Sequence, residues 1–152
     1  MYKKKVAIVT GASGGIGKAT AEHLIKDGYI VYGISRHPQQ WGELHCIAAD
    51  VCDETAIAQA MAEVYQAQGH IDLLVSNAGF GISGAVEQTT MFDAKRQLDV
   101  NFFGFFNCVK QVLPYMRAQR EGCIAAVSSV AGALAIPFQA FYSASKAAMN
   151  WY

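Results

Sequence analysis

Two residues near the end of the sequence have the types and spacing of a proton-transfer pair. Tyr142 and Lys146, in the stretch FYSASKAAMNWY, are four residues apart, so on a helix their side chains share one face. A lysine ammonium beside a phenol favours the phenolate and lowers the pKa of the tyrosine from its ordinary value of about 10. Such a phenol exchanges a proton with a substrate oxygen near neutral pH. Taken alone, the spacing is more typical of a surface tyrosine and lysine.

Further polar residues fit the same chemistry. Ser129 follows a predicted strand, thirteen residues before Tyr142. Because ligands of open parallel sheets bind beyond the carboxyl ends of the strands, this hydroxyl is placed to hold a carbonyl oxygen. Ser128 is its rival, and spacing does not decide between the two. Asn101 lies among phenylalanines on a predicted helix, where an amide needs a specific partner; a hydrogen bond to backbone is the alternative to a functional role.

A glycine-rich turn, TGASGGIG at 10–17, joins a predicted strand to a predicted helix. Gly11 permits a tight turn, Gly15 lets the backbone approach a ligand, and Gly17 lets the helix pack against the sheet. The free N–H groups near Ile16, with the helix dipole behind them, suit a pyrophosphate. The spacing is GxxxGxG rather than GxGxxG. A merely structural turn is the alternative, although the flanking strand and helix favour dinucleotide binding.

The end of the second predicted strand indicates which dinucleotide binds. An NAD site usually has an acidic residue there, about 20 residues beyond the glycines, to bind the ribose 2′-hydroxyl. Ser35 and Arg36 occupy that place. A guanidinium without a competing carboxylate favours the 2′-phosphate, so we expect NADP(H) to be preferred over NAD(H). Ser13 adds a hydroxyl donor in the turn. The alternative is that Arg36 is an ordinary surface arginine.

Composition excludes several classes of function. The sequence has 152 residues, of which 53% are apolar and 16% charged, and its twelve basic residues balance twelve acidic ones. That balance provides no basic surface for nucleic acid or for an anionic membrane. No segment reaches the roughly 20 apolar residues of a membrane span, and the apolar stretch 6–9 is too short for a signal peptide. We therefore expect a soluble, cytoplasmic protein.

Cysteine and histidine give no sign of a metal or disulfide framework. The four cysteines form no CxxC pair and fall in apolar surroundings, which predicts buried, reduced thiols. They are Cys46, Cys52, Cys108 and Cys123. The four histidines lack metal-ligand spacing, so no metal site is predicted.

Short apolar strands alternate with amphipathic helices along the sequence. Strands are predicted at 5–10, 29–35, 44–49, 72–77 and 123–128. Helices are predicted from Ile16 to about Asp27, from an Asp53 cap to about Gln68, along an apolar stripe from Leu98 to Met116, and from near Tyr142. Pro114 is expected to bend or weaken the last turns of the third helix. The alternation predicts one Rossmann-like α/β domain over 1–152, a doubly wound parallel sheet in three α/β/α layers.

Taken in order, the motifs resemble those of the short-chain dehydrogenase/reductase family, in particular its single-domain, NADP(H)-preferring members. TGASGGIG is similar to the family's cofactor turn, and Asp50 and Val51 to its adenine-contacting pair. SNAG at 76–79 resembles the usual NNAG, with Ser76 as a departure that leaves Asn77, Ala78 and Gly79 in register. DVN at 99–101, SSVAG at 128–132 and YSASK at 142–146 complete the set.

The resemblance implies a reaction and a role for each residue. Tyr142 would be the general acid and base, and Lys146 would lower its pKa and bind the nicotinamide ribose. Ser129 would position a carbonyl, and Asn101 would support a water that relays protons through Lys146. The implied reaction is hydride transfer between NADP(H) and a carbonyl or alcohol. An apolar substrate is favoured if residues at the mouth line its pocket rather than pack under loops; they are Phe80, Ile82, Ile136, Pro137, Phe138 and Phe141.

The resemblance also implies that the C-terminal strands of the family fold are missing. The fifth predicted strand then becomes an exposed sheet edge. Three functions remain open: a carbonyl reductase represented by its N-terminal portion, a binding module for NADP(H) without turnover, and a fragment that pairs through that strand. A homo-oligomer is expected.

Overall fold

The computed structural model describes residues 3–152, which form a five-stranded parallel sheet flanked by helices. The strands are β1 (Val6–Thr10), β2 (Ile30–Ser35), β3 (His45–Ala48), β4 (Leu73–Ser76) and β5 (Cys123–Ala126). Their order is β3-β2-β1-β4-β5, and each neighbouring pair is parallel. From β1 the chain adds β2 and β3 on one side. It then crosses back and adds β4 and β5 on the other side of β1. This is the predicted doubly wound fold, and its switch point lies between β1 and β4.

Five α-helices connect and cover the strands. They are α1 (Gly15–Lys26), α2 (Glu54–Gln68), α3 (Met91–Leu98), α4 (Gly104–Gln119) and α5 (Ala140–Asn150). A π-helical segment, Asp99–Phe103, joins α3 to α4, and short 3₁₀ turns lie at Val86–Gln88 and Val130–Gly132. The predicted strand and helix bounds lie within about two residues of these, apart from the third helix, which the π segment interrupts.

The core lies on both faces of the sheet because successive strand residues alternate between them. On one face, Ile8 and its neighbours pack with Ile57 of α2 and Val112 of α4. On the other, Val9 belongs to a second cluster that includes Ala21 of α1. All five residues of β1 are fully buried, as a central strand covered on both sides requires.

Local signals fix the ends of α2 as predicted. The Asp53 side chain accepts a hydrogen bond from the Ala56 N–H at 3.0 Å, which satisfies a free donor of the first turn. Gly69 ends the helix with φ of 74°, and its N–H donates to Tyr65 O at 2.7 Å. A left-handed residue here favours glycine because it has no Cβ.

Pro114, which is expected to bend or weaken the last turns, does not end α4. The helix continues through Pro114 to Gln119. Pro114 and Lys110, whose carbonyl loses its usual donor, are both exposed, so water can take the missing hydrogen bond. Val112 and Met116, on the opposite side, are buried in the core and keep these turns packed.

The expectation of four buried thiols is wrong. All four cysteines are free, but only Cys108 is buried. Cys52 and Cys123 are exposed and Cys46 is half-buried, because β3 and β5 are the outer strands of the sheet and Cys52 lies in the turn after β3. Apolar neighbours in sequence do not bury a residue at the edge of a sheet.

Candidate active site

A cavity of about 1020 Å³ opens at the carboxyl ends of the strands, around the switch point. Its volume is at the upper end of the range of about 300–1,000 Å³ for ligand pockets. Most of the predicted site residues line it together. They are Gly11, Ser13, Gly15, Ile16, Ser35, Arg36, Asp50, Val51, Asn77, Ala78, Gly79, Tyr142 and Lys146. Gly17, Asn101 and Ser129 are not among the lining residues.

The glycine turn presents bare backbone to this cavity. Gly11 and Gly15 have φ of 69° and 53°, a region that L side chains rarely adopt. A Cβ on Gly15 would have no atom within 4 Å, so the space above it is open to a ligand. The N-cap of α1 is Gly14, which has no side chain to bind the free N–H groups of the first turn. These groups and the helix dipole suit an anionic phosphate.

Gly17 has a packing role rather than a place in the cavity wall. A Cβ there would lie 2.3 Å from Gly11 O and 2.4 Å from Asn77 Nδ2. At Gly17 the helix therefore packs most closely against the glycine turn and Asn77. The sequence predicted close packing against the sheet instead.

Asn77 and Thr10 hold the turn and the segment after β4 together. Asn77 Nδ2 donates to Thr10 O at 3.0 Å, across the switch point. The fully buried Thr10 hydroxyl in turn accepts from the N–H groups of Asn77 and Ala78, at 3.0 and 2.9 Å. Thr10 was not among the predicted site residues. Its signal in the sequence is a hydroxyl residue at the end of an otherwise apolar strand, directly before the glycines.

Arg36 and Asp50 form the wall of the cavity at the ends of β2 and β3. Arg36 is exposed and follows Ser35, the last residue of β2. The Asp50 Oδ1 accepts from the Cys52 N–H at 3.0 Å. Val51 is buried, and its carbonyl accepts from Asn107 Nδ2 of α4 at 2.9 Å. This hydrogen bond ties the loop after β3 to a distant helix.

Tyr142 and Lys146 lie on one face of α5, as their spacing predicted, and both line the cavity. Lys146 Nζ is 5.9 Å from the centroid of the Tyr142 ring and donates to Val127 O at 2.7 Å. Lys146 is only 5% exposed, and this burial lowers its pKa below the ordinary value. The backbone of Gly81 lies close to the phenol ring, since a Cβ there would be 3.5 Å from Tyr142 Cδ2.

Asn101 is fully buried in the π segment. Its Oδ1 accepts from the Phe80 N–H at 2.9 Å, and its Nδ2 donates to Phe80 O at 2.9 Å and to Ser145 Oγ at 3.0 Å. Ser145 Oγ donates to Tyr142 O at 2.7 Å. Asn101 therefore connects the loop after β4 to the helix that carries Tyr142.

The two serines after β5 have different surroundings. Ser128 lines the cavity, but its hydroxyl donates to Asn150 Oδ1 at 2.6 Å. Ser129 caps the following 3₁₀ turn, and its oxygen accepts from the Ala131 N–H at 3.1 Å. The Ser129 proton is thus free to be donated, whereas the Ser128 proton is engaged.

Several lining residues were not among the predicted site residues. Gln139, Ser83 and Arg96 lie in the cavity wall beside Tyr142 or Phe80, and His37 lies beside Arg36. No motif marks them, because their places in the wall depend on contacts between distant segments; Arg96 lies on α3 and Gln139 directly before α5. Among residues 3–152, no cluster of three potential metal ligands occurs and no helix is long and apolar enough to cross a membrane.

Comparisons with known proteins agree with this geometry, namely the glycine turn, the helix face shared by Tyr142 and Lys146, and the cavity at the switch point. The sequence model of the short chain dehydrogenase family matches residues 5–152. The chain therefore belongs to the short-chain dehydrogenase/reductase family, whose fold binds nicotinamide cofactors. The predicted family and fold class are confirmed.

Individual relatives extend the comparison. The chain is 44% identical over 149 residues to 3-ketodihydrosphingosine reductase of Bacteroides thetaiotaomicron, covering 97% of this chain and 55% of that protein. A solved structure of Thermoplasma acidophilum aldohexose dehydrogenase, in ligand-free form, superposes with a TM-score of 0.93 at 34% identity. It matches 97% of this chain and 58% of its own. An F189W actinorhodin polyketide ketoreductase with NADPH gives a TM-score of 0.91 at 30% identity, matching 96% of this chain and 61% of its own. The chain thus spans little more than half the length of such relatives.

Proposed function

We propose that the protein is an NADP(H)-dependent oxidoreductase that interconverts a carbonyl and an alcohol, on a substrate that is largely apolar. The observation that carries the proposal is that Tyr142 and Lys146 face the same cavity as the glycine turn and the first turn of α1. A phosphate-binding turn and a proton-transfer pair in one cavity are what hydride transfer requires. A nicotinamide cofactor bound there supplies or accepts the hydride.

In this proposal each residue acts on the substrate oxygen or on its surroundings. The Tyr142 hydroxyl donates a proton to the carbonyl oxygen as negative charge develops there, and takes it back in the reverse direction. Lys146 places a positive charge beside the phenol and offers N–H donors to a ribose. Ser129 is not among the lining residues, but its proton has no acceptor in residues 3–152, so in this proposal it donates the second hydrogen bond to the oxygen. Asn101 holds α5 and the loop at Phe80 in position.

The preference for NADP(H) rests on the end of β2. Arg36 projects an exposed guanidinium at the cavity wall, and Ser35 before it carries no charge. A 2′-phosphate there gains charge-assisted hydrogen bonds that a 2′-hydroxyl cannot match. The NADPH complex of the polyketide ketoreductase supports the proposal by similarity.

The nature of the substrate is supported by composition and by one relative. Phe80 lines the cavity, and Ile82, Ile136 and Phe138 lie on the adjoining loops. The 44% identical relative is named for a keto substrate, which favours reduction of a ketone as the working direction.

Turnover tests the proposal directly. Purified protein with NADPH and a set of apolar ketones should consume NADPH, followed by loss of absorbance of the reduced nicotinamide. Tyr142→Phe should lower kcat by at least about 100-fold, the usual contribution of a positioned general acid. Tyr115→Phe, on α4, is the matched control. Equal kcat in the wild type and Tyr142→Phe would overturn the proposed role.

Cofactor choice has its own test. We expect NADPH to bind at least about tenfold tighter than NADH, which is about 1.4 kcal/mol. Arg36→Asp should remove or reverse the preference, while Arg117→Asp, on the exposed surface of α4, should not. Affinities are read from the fluorescence of the bound reduced nicotinamide. Equal affinities for the two cofactors, or a preference that survives Arg36→Asp, would contradict the proposed preference for NADP(H).

The outer strand β5 favours a second candidate. Three of its four residues are exposed, and its free edge offers unpaired backbone groups within the described part of the chain. In this alternative the protein binds NADP(H) without turnover, or assembles through β5. Sedimentation of the pure chain distinguishes the cases: a monomer excludes assembly, and tight NADPH binding unaffected by Tyr142→Phe and without turnover supports a binding module.

A further inference from the structure

Gln139, directly before α5, directs its side chain to the loop after β4 rather than to the N–H groups of the helix. Gln139 is the N-cap residue of α5, yet its side chain makes no capping hydrogen bond. Its Nε2 instead donates to Ser83 Oγ at 3.3 Å, on the loop after β4. Both residues line the same cavity as Tyr142. A polar pair thus stands in the cavity wall, where Phe80 is the lining residue from the six apolar residues expected at the mouth.

Gln139 also continues the stripe of α5 that carries the proton-transfer pair. Gln139, Tyr142 and Lys146 have the spacing i, i+3, i+7, which places them on one helix face, and all three line the cavity. At 1.5 Å per residue, Gln139 lies about 4.5 Å along the axis from Tyr142, on the side away from Lys146. Gln139 is therefore near enough to contact a substituent of a substrate whose oxygen meets Tyr142.

The two loops that carry this pair are fixed to each other. The Gly84 N–H donates to Phe138 O at 2.8 Å, directly beside Ser83 and Gln139. Phe138 has φ of 63°, a conformation that costs a bulky residue free energy and that the surrounding contacts must maintain. The position of Gln139 is thus set in the absence of any substrate, as a recognition group requires.

The hydrogen-bonding capacity of the pair indicates what it recognises. Within residues 3–152, Gln139 Oε1 has no hydrogen-bond partner and the Ser83 hydroxyl keeps its proton. Together they offer one free acceptor and free donors, without net charge. We propose that Gln139 and Ser83 form a specificity-determining pair, which binds a hydroxyl-type substituent on the second carbon from the reacting carbonyl carbon of the substrate. The inference rests on the proposed reductase function and narrows its substrate class to ketones with such a substituent.

A matched series of ketones tests this. The compounds are 3-decanone, 1-hydroxy-3-decanone and 3-oxodecanoate, which differ only at the first carbon, as methyl, hydroxymethyl and carboxylate. We expect kcat/KM for the hydroxy ketone to exceed that for 3-decanone by about tenfold, the effect of one neutral hydrogen bond. The difference should lie mainly in KM, since the contact is remote from the reacting atoms.

Variants then assign the preference to the pair. Gln139→Met keeps the length of the side chain and should reduce the ratio of the two kcat/KM values to near one. Ser83→Ala, on the other loop, should reduce the same ratio and provides a second measurement if the first variant does not fold. Gln66→Met, an exposed glutamine of α2, is the control and should leave the ratio unchanged.

Other outcomes overturn the inference. Equal kcat/KM values for 3-decanone and the hydroxy ketone would do so while leaving the proposed reductase function intact. A preference for 3-oxodecanoate that is lost in Arg96→Gln would assign recognition to the guanidinium and to an anionic group instead. Failure to reduce any of the three ketones would overturn both proposals.

Discussion

At the scale of single residues, the candidate site is held together by side chains that bind protein groups rather than point freely into the cavity. Asn101 binds both backbone groups of Phe80, and Thr10 binds two N–H groups after β4. Lys146 is buried with its ammonium on Val127 O. Burying that charge lowers the pKa of Lys146, which means that it opposes folding at neutral pH. The charged side chain of a residue that we propose to be catalytic is therefore destabilising.

This has a pH dependence with a definite sign. The folded-state pKa of Lys146 lies below the ordinary 10.5, so just below that pH the folded chain binds fewer protons than the unfolded chain. The free energy of unfolding then rises with pH. Urea unfolding of the apoprotein at about pH 7 and about pH 10 should show wild type gaining stability relative to Lys146→Met. Lys26→Met, at an exposed site on α1, is the control. An unchanged difference between wild type and Lys146→Met at the two pH values would contradict the prediction.

The cysteines give a second prediction at this scale. Desolvation of the thiol and then the charge of Asp50 raise the pKa of Cys52 to about 11, and burial raises that of Cys108 to about 12. Because the thiolate is the nucleophile, Cys52 should react with iodoacetamide more slowly than Cys123, although both are exposed. Cys108 should react only after unfolding. Peptide mass spectrometry of timed samples gives the order. Asp50→Asn should speed the reaction at Cys52; labelling of Cys108 as fast as Cys123 in the native protein would contradict the assignment.

At the scale of elements, the loop after β3 and the start of α4 form a tight contact near the site. A Cβ on Gly104 would lie 2.6 Å from Val51 Cγ2 and 3.0 Å from Val51 Cβ. The same loop is held by the hydrogen bond from Asn107 to Val51 O. The π segment before Gly104 supplies one extra residue to the helix, and it carries the buried Asn101. Helix α4 thereby positions Val51 in the cavity wall and Asn101 beneath α5.

Gly104→Ala should therefore destabilise the protein although alanine favours helices. A stiff, β-branched valine cannot move aside, so overpacking should cost about 1–3 kcal/mol. Urea unfolding measures the change, and Val51→Ala in the Gly104→Ala background should recover much of it. Gly84→Ala, where a Cβ meets nothing within 4 Å, is the control. If Gly104→Ala were as stable as the wild type, the loop after β3 would have moved to make room for the methyl group. The prediction would then be wrong.

At the scale of the whole molecule, the cavity joins segments that are far apart in sequence. Its wall comes from the turn after β1, the ends of β2 and β4, the loop after β3, and α5. A ligand that contacts all of these binds the folded chain and not the unfolded one, so it must stabilise the fold as a unit.

NADPH at 100 times its dissociation constant should raise the free energy of unfolding by about 2.7 kcal/mol. The urea midpoint should increase with NADPH concentration and with an unchanged slope. NADH at the same concentration should stabilise less, and in Arg36→Asp the two cofactors should become equal or exchange order. A midpoint independent of NADPH would contradict both the linkage and the cofactor proposal.

The sequence by itself determined the fold class, the order of elements and the family, because their signals are local. Apolar periodicity, Asp53 as a cap, Gly69 as a stop and the glycine turn each act within a few residues. The face shared by Tyr142 and Lys146 follows from helical spacing alone. These signals also placed thirteen of the predicted site residues around one cavity.

Only the tertiary structure decided what the remaining side chains contact. Asn101 reaches Ser145 across 44 positions, and Gln139 reaches Ser83 across 56. The free proton of Ser129, the engaged proton of Ser128 and the exposure of Cys52 and Cys123 likewise depend on which segments the fold brings together. A spacing rule describes neighbours along one element, whereas these contacts join different elements, so packing of the whole chain had to determine them.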